Sequence, residues 1–403
     1  RGRRCVGCRL GGDAILGLDD FSRGGTGARA VSFPPPPGGP PPGNPGPPQG
    51  YSGPYGPPPQ QPPWQQQWPA GPPPKKRGNV WKWLLGGVAL LVVIGVTVAV
   101  TISVTSGGGG GDDPTPSGET FGLASADDTG PVNIITEDPS CAAWGPINQT
   151  FVDVQKTGWS DRDAGIPASG WSPEQRATYD RVAEAARKAA DQTVTLARLT
   201  NHRVMRELYE QFIAYARAYS DAIPAYTPSD NHLAGVMITT STVLVYICSA
   251  ISNGSAEARA PLIEVPPPPR RVAQVSDPSK PQIFMPDADD TCGEWVRLLN
   301  EFNADTTAWQ AVDTNTPVSA WPPEHRAAAE SVVSVMNKFA DDVYKLGEKS
   351  SNPVLQDFAV VAAQYRRAFA QALPTYTPSD VYLDSASYRS TSIIYEACKA
   401  AGA

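Results

Sequence analysis

The chain has 403 residues, 43 of them Pro and 37 Gly, so one residue in five breaks regular structure and a single ordinary domain is excluded. Charged residues are 18% of the total and the net charge is −7, with a pI of about 5.1, which argues against a chain built chiefly to hold nucleic acid. Three His and six Cys leave little material for a metal or nucleophilic centre.

Residues 1–30 contain Cys5-Val6-Gly7-Cys8 with no second Cys pair or His cluster nearby to complete a zinc site, and the first Met of the chain is Met205. Translation is expected to start nearer Val31, if an alternative start codon encodes it, which would make residues 1–30 a non-native extension. Residues 31–82 form a Pro/Gly-rich arm; Val31 to Gly78 alone holds 20 Pro and 9 Gly in 48 residues, interspersed with Tyr51, Tyr55, Trp64 and Trp68. Proline fixes φ and removes an amide donor, so this arm is expected to be disordered and to sample polyproline II. It reads as a solvated spacer, a docking ligand for a proline-binding cytoplasmic partner, or a self-associating tract with aromatic stickers.

Trp83 to Val104 is 22 residues without a charge. At 1.5 Å per residue it covers about 33 Å, enough for a hydrocarbon core of about 30 Å, and it reads as one transmembrane helix over 83–104. Lys75, Lys76, Arg77 and Lys82 precede it, while Gly107 to Gly111, Asp112 and Asp113 follow. The positive-inside rule then puts the N-terminus in the cytoplasm and everything beyond residue 104 outside it. Residues 1–82 carry ten Lys/Arg against three Asp/Glu, a net charge of +7, leaving −14 for the remainder. Residues 105–140 read as a Gly-rich stalk.

Beyond the stalk lies an internal repeat with an offset of 150 to 151 residues. Aligned without gaps, Trp159–Cys248 and Trp309–Cys398 share 27 identities in 90 positions; Cys141 and Trp144 match Cys292 and Trp295. The units are 141–251 and 292–403, joined by a Pro-rich linker, 252–291. Helices are expected at 141–155, 172–199, 202–222 and 229–250, and again at 292–311, 322–346, 352–373 and 379–400. Ser172-Pro173-Glu174-Gln175 supplies an N-cap, Pro at N1 and a capping-box partner, and Thr227-Pro228-Ser229-Asp230 gives the same signal. Met205, Leu208, Phe212, Tyr215 and Tyr219 follow the 3-4-4 spacing of an amphipathic helix, repeated by Leu355, Phe358, Ala362, Tyr365 and Phe369. Val236 to Ile251 is rich in Val, Ile and Thr, yet its counterpart is less β-branched, so both are read as helix. The fold class is all-α: two tandem four-helix units after the arm and the span.

Four Cys lie beyond the span and admit three pairings. Cys141–Cys248 with Cys292–Cys398 is the pairing that respects the duplication, giving each unit one staple between its first and last helices and requiring an oxidising compartment.

Catalytic chemistry finds few candidates. His202, His232 and His325 fall at unrelated positions in the two units, and the chain has no GxSxG, HExxH or P-loop. No catalytic, cofactor or metal residue is assigned. The tryptophans kept by both units, Trp144/Trp295, Trp159/Trp309 and Trp171/Trp321, read as core plugs or an aromatic platform; Asp230 and Asp380 read as caps. Arg217 and Arg367 lie two residues after a core Tyr and so turn toward solvent. With Arg176 and Arg326, they suit either surface salt bridges, to Glu174/Glu324 or Asp230/Asp380, or an anion- or partner-binding contact.

The run PPPPGGPPPGNPGPPQGYSGPYGPPPQQPPW, the KKR and WKW entry to the span and the Ala/Arg/Pro/Gly bias resemble uncharacterised proline- and glycine-rich single-pass membrane proteins of mycobacteria and related actinobacteria. The resemblance implies a plasma-membrane anchor with a domain in the cell envelope, and carries over no catalytic residue. The whole reads as a type II membrane protein with no nucleic-acid partner and no cofactor. Its role is expected to be non-enzymatic binding or scaffolding toward a cell-envelope protein or polymer. The alternatives are a sensor passing an external ligand signal to the arm, and an enzyme of envelope metabolism.

Overall fold

The computed structural model describes residues 120–403, which belong to one compact unit. The expected extension 1–30, arm 31–82 and span 83–104 lie outside the described residues, as does the first part of the stalk. Among the described residues there are ten α-helices and no strand. The first repeat contributes α1 (Cys141–Gln155), α2 (Pro173–Leu199), α3 (Arg203–Ala222) and α4 (Asn231–Ser252). After the short α5 (Ser255–Arg259), the second contributes α6 (Cys292–Asp305), α7 (Thr307–Gln310), α8 (Pro323–Lys349), α9 (Pro353–Ala372) and α10 (Val381–Ala400).

The local signals explain where these helices start. Ser172 and Gln175 form a reciprocal capping box on α2. Thr227 with Asp230 and Thr377 with Asp380 form the same box on the 3-10 turns that lead into α4 and α10. In the second unit Pro322 stands where Ser172 caps the first, so α8 starts without a side-chain cap. Disulfides join Cys141 to Cys248 and Cys292 to Cys398, across 107 and 106 residues, each tying a unit's first helix to its last.

The two units share one core. Helices α4 and α10 pack along each other, and their contacts obey an approximate twofold axis: His232 meets Glu396, while the equivalent positions, Tyr382 and Tyr246, place their rings 6.5 Å apart. Gly235 allows the close approach, because a Cβ there would lie 2.3 Å from the Glu396 carboxylate. The apolar stretch 228–252 is long enough to cross a membrane, yet two thirds of its most apolar 18-residue window is buried inside the fold. It is apolar because it is packed on one side by its own unit and on the other by α10.

Two extended straps complete the core. Residues 120–140, expected as part of a stalk, bury Leu123, Val132, Ile134 and Ile135, and the Ile135 amide donates to the Tyr365 hydroxyl on α9 at 3.3 Å. The linker does the converse: Phe284 and Met285 are buried, and Phe284 sits between Tyr215 of α3 and Phe358 of α9. Gln211 clasps the backbone of this strap, donating to the Gln282 carbonyl and accepting from the Phe284 amide. The first strap thus docks on α9 of the second unit and the linker strap on α3 of the first, and a pair of units that looks separable by sequence becomes one body.

Candidate functional site

At one end of the second unit α6, α7, α9 and α10 enclose an open pocket of about 720 Å³. Arg366, projecting from α9 and almost fully buried, pairs there with Asp384 of α10 and lies 4.9 Å from the Phe302 ring centre. Its Nε is buried with no hydrogen-bond partner among the described residues. Trp309, Val312, Asn303 and Tyr388 line the rest of the space. The first unit fills the equivalent place with its own side chains. Arg162 lies 3.4 Å over the Trp159 ring and donates to the Asn231 side chain, and the Trp159 indole donates to the Tyr219 hydroxyl at 2.9 Å. At the matching positions the second unit has Val312, Val381 and Phe369, and the first has Ala216 and Ala234 where Arg366 and Asp384 stand.

A second polar cluster lies at the seam between the units, where the starts of α3 and α9 meet. Arg203 donates from Nε and Nη2 to the two Asp357 oxygens at 2.7 and 3.2 Å, with both side chains buried. It also donates to the Asp128 and Gly130 carbonyls of the first strap, and Asp128 returns the contact by accepting from the Arg203 amide at 2.7 Å. Glu207, the repeat counterpart of Asp357, is fully enclosed beside it; burial first, and the Asp357 carboxylate second, raise its pKa well above the ordinary carboxyl value. One turn on, burial raises Glu210 to about 7 against the opposing pull of Arg206, whose guanidinium also donates to the Ser125 carbonyl.

This geometry can be set beside known proteins. A family model described as mycobacterial ESX-1 associated protein matches residues 123–402, which covers the fold from its first strap to the end of α10. The chain belongs to that family. An uncharacterised protein of Mycolicibacterium smegmatis (strain MKD8) is 48% identical over 362 residues, covering 87% of this chain and 96% of that protein. That share exceeds what the family match spans, so the likeness continues toward the N-terminus beyond it. No solved structure matches.

In this ESX-1 associated family member the four arginines singled out by sequence are held in internal contacts. Arg217 donates to Asp191 at 2.8 Å and to the Ser279 carbonyl at 2.6 Å. Arg367 donates to Asp341 at 2.8 Å and to Gln364. The partner carboxylates are therefore a repeat-related pair on α2 and α8, and not the helix-start residues Glu174, Glu324, Asp230 or Asp380. Arg176 and Arg326 bond the Ala168 and Trp321 carbonyls just before those helices. Asp380 is held instead by Arg259 of α5, at 2.9 Å. Trp144, Trp159, Trp295 and Trp321 are buried as plugs, Trp309 is buried along the pocket wall, and Trp171 stacks on Tyr179 at 3.8 Å. The histidines are scattered: His202 touches the Glu137 carbonyl and His232 lies 2.8 Å from Glu396. Among the described residues no group of His, Cys, Asp and Glu is placed to hold a metal.

Sequence reasoning missed both polar clusters. Arg366 stands directly before Arg367, and a charged residue at the core register that Ala216 holds in the first unit is the signal for it. The seam cluster had a signal too: Val132, Ile134, Ile135, Phe284 and Met285 are apolar residues in supposed tethers, and they needed a surface to cover.

Proposed function

We propose that the chain is a membrane-tethered, non-catalytic binding component associated with the mycobacterial ESX-1 secretion system, holding its doubled helical domain on the outer side of the plasma membrane. The observation that carries this reading is the family match over residues 123–402, because it falls on the folded domain itself. Three features support the placement. The uncharged run 83–104 has basic residues before it and acidic ones after. The two disulfides belong to an oxidising compartment. The likeness to the Mycolicibacterium smegmatis protein extends N-terminal to the domain. In this reading the arm 31–82 faces the cytoplasm and offers its proline runs to a partner there.

The test has two arms. Deleting the relative in Mycolicibacterium smegmatis should lower the amount of ESX-1 substrate in culture filtrate, restored by the full chain. Single cysteines placed at residues 60 and 115 should be shielded from and open to a membrane-impermeant maleimide, respectively. Unchanged secretion removes the system association, and labelling at residue 60 in intact cells reverses the topology. The pocket of the second unit favours one further reading, a sensor, which predicts that ligand in the pocket changes what the arm binds.

A further inference from the structure

The pocket at the end of the second unit differs from the equivalent place in the first by a coordinated set of residues. In the first unit a guanidinium seals the Trp159 face from a loop, anchored by Asn231, and the indole nitrogen is satisfied by Tyr219. In the second, Val312 and Val381 cannot seal, and Phe369 removes the acceptor from the Trp309 indole. To this space α9 and α10 add Arg366, Asp384 and Tyr388, and α6 adds Asn303.

Arg366 is more than nine-tenths buried, is pinned by Asp384 and Phe302, and keeps an unpartnered Nε. The Arg162 Nε of the first unit is likewise enclosed and unpartnered, so what separates the two places is the open space and its lining, with Arg366 holding Asp384 at the wall.

The chemistry of the lining selects the ligand class. Among the described residues Arg366 and Asp384 are the only charged ones lining the pocket, and they neutralise each other. A phosphate or carboxylate would meet Asp384, and a second cation would meet Arg366. What the walls offer is a mixture of donors and acceptors: the Arg366 and Trp309 N–H groups donate, Asp384 accepts, and Asn303 and Tyr388 do both. Trp309 and Val312 add an apolar side. A neutral molecule with many hydroxyls and a C–H face answers each of these, and the volume of about 720 Å³ lies within the range of small-molecule sites.

We propose that this pocket is a saccharide-binding site, with Arg366, Asp384 and Asn303 bonding sugar hydroxyls and Trp309 walling the ring, and that the first unit is its permanently plugged copy. The inference stands apart from the secretion-system reading, since it rests on the pocket alone. The experiment is calorimetric titration of the full chain with glucose, galactose, mannose, arabinose, maltose and cellobiose, and with inorganic phosphate and arginine amide as ionic probes. At least one sugar should bind saturably at millimolar concentration and both ionic probes should not.

Val312→Arg with Val381→Asn copies the seal of the first unit and should weaken sugar binding at least about tenfold, with the thermal unfolding midpoint unchanged or raised. Asn303→Ala, at the half-buried rim, should weaken it by several fold and keep the fold, so the test survives if the sealing variant does not express. Failure of every sugar up to about 50 mM, equal binding by the sealed variant and Asn303→Ala, or saturable binding of phosphate or arginine amide in place of sugar would each overturn the assignment.

Discussion

In the first unit Arg162 reaches over Trp159 from the loop after α1; in the second the same place is closed by nothing, and the guanidinium arrives from α9 as Arg366. Arg162 is bonded to Asn231 and Trp159 to Tyr219 in the first unit, and Arg366 is paired with Asp384 in the second. The same helical framework therefore accepts two different sets of polar residues at this end. The seam between the units shows the complementary asymmetry. Both units place a carboxylate near the twofold axis, as Glu207 and Asp357, but only the first supplies the arginine: Arg203 has Pro353 as its counterpart. Arg203 is bonded to Asp357, while neither Glu207 oxygen has a hydrogen-bond partner among the described residues; burial and Asp357 drive Glu207 toward its protonated form against the pull of Arg206 and Arg203.

The sharpest way to break this asymmetry is Arg203→Met. It leaves Asp357 buried without its partner and frees the first strap from α3, and it is expected to cost about 3–5 kcal/mol in urea unfolding. Adding Asp357→Leu should recover part of that loss. A cost below about 1 kcal/mol would show that the seam is held by apolar packing alone.

The staples give a direct comparison of the units. Removing Cys141–Cys248 or Cys292–Cys398 as a Ser pair opens loops of 107 and 106 residues, so chain entropy predicts nearly equal losses of about 2–5 kcal/mol in denaturant titrations. A clear inequality would mean that one unit retains more structure than the other once reduced. It would also test the single-body fold, because units that share a core should still unfold in one transition.

Glu210 ties the seam to pH. Its folded-state pKa, about 7, lies above its ordinary value of 4.5, so the folded chain binds this proton more tightly than the unfolded chain. The contribution is complete below pH about 4.5, falls as pH rises to about 7 and is gone above it, an integrated change on the order of 3 kcal/mol. Glu207 acts in the same direction. Stability measured by urea unfolding from pH 5 to 8 should decline, and Glu210→Gln should flatten the decline; a wild-type curve that rises through this window would refute the assignment.

Helix positions were readable because capping and periodicity are local. Ser172, Thr227 and Thr377 announce helix starts within four residues, and the 3-4-4 spacing from Met205 to Tyr219 marks one face of α3. What local pattern cannot say is whether a helix has a second buried face. From Arg203 to Ala216 every residue of α3 is buried, charged ones included, because the straps and the other unit cover the side that reads as polar. The same limit applies to the linker and to residues 120–140: composition suggested tethers, while the Ile135 amide reaches Tyr365, 230 positions away, and the Glu264 carbonyl accepts from Gln364, 100 positions away. The pairing of Arg217 with Asp191 was legible as a surface salt bridge but not by partner, since the acid lies on another helix and 26 residues upstream.

That surface pair offers the smallest and finest comparison. Arg217–Asp191 and Arg367–Asp341 have the same 2.8 Å geometry, and the acids are more than half exposed in both, so the ion pair itself is worth at most about 1 kcal/mol. Arg217 differs in also bonding the Ser279 carbonyl of the linker strap, whereas Arg367 braces Gln364 on its own helix. Arg367→Ala should therefore change stability by only a few tenths of a kcal/mol. Arg217→Ala should lose about 1 kcal/mol and, more tellingly, speed amide hydrogen exchange at Lys280 and Phe284 with no matching change in the first strap. Equal exchange in the two variants would mean that the linker is held by Phe284 and Gln211 without help from the arginine, and the two units would then be equivalent at this position.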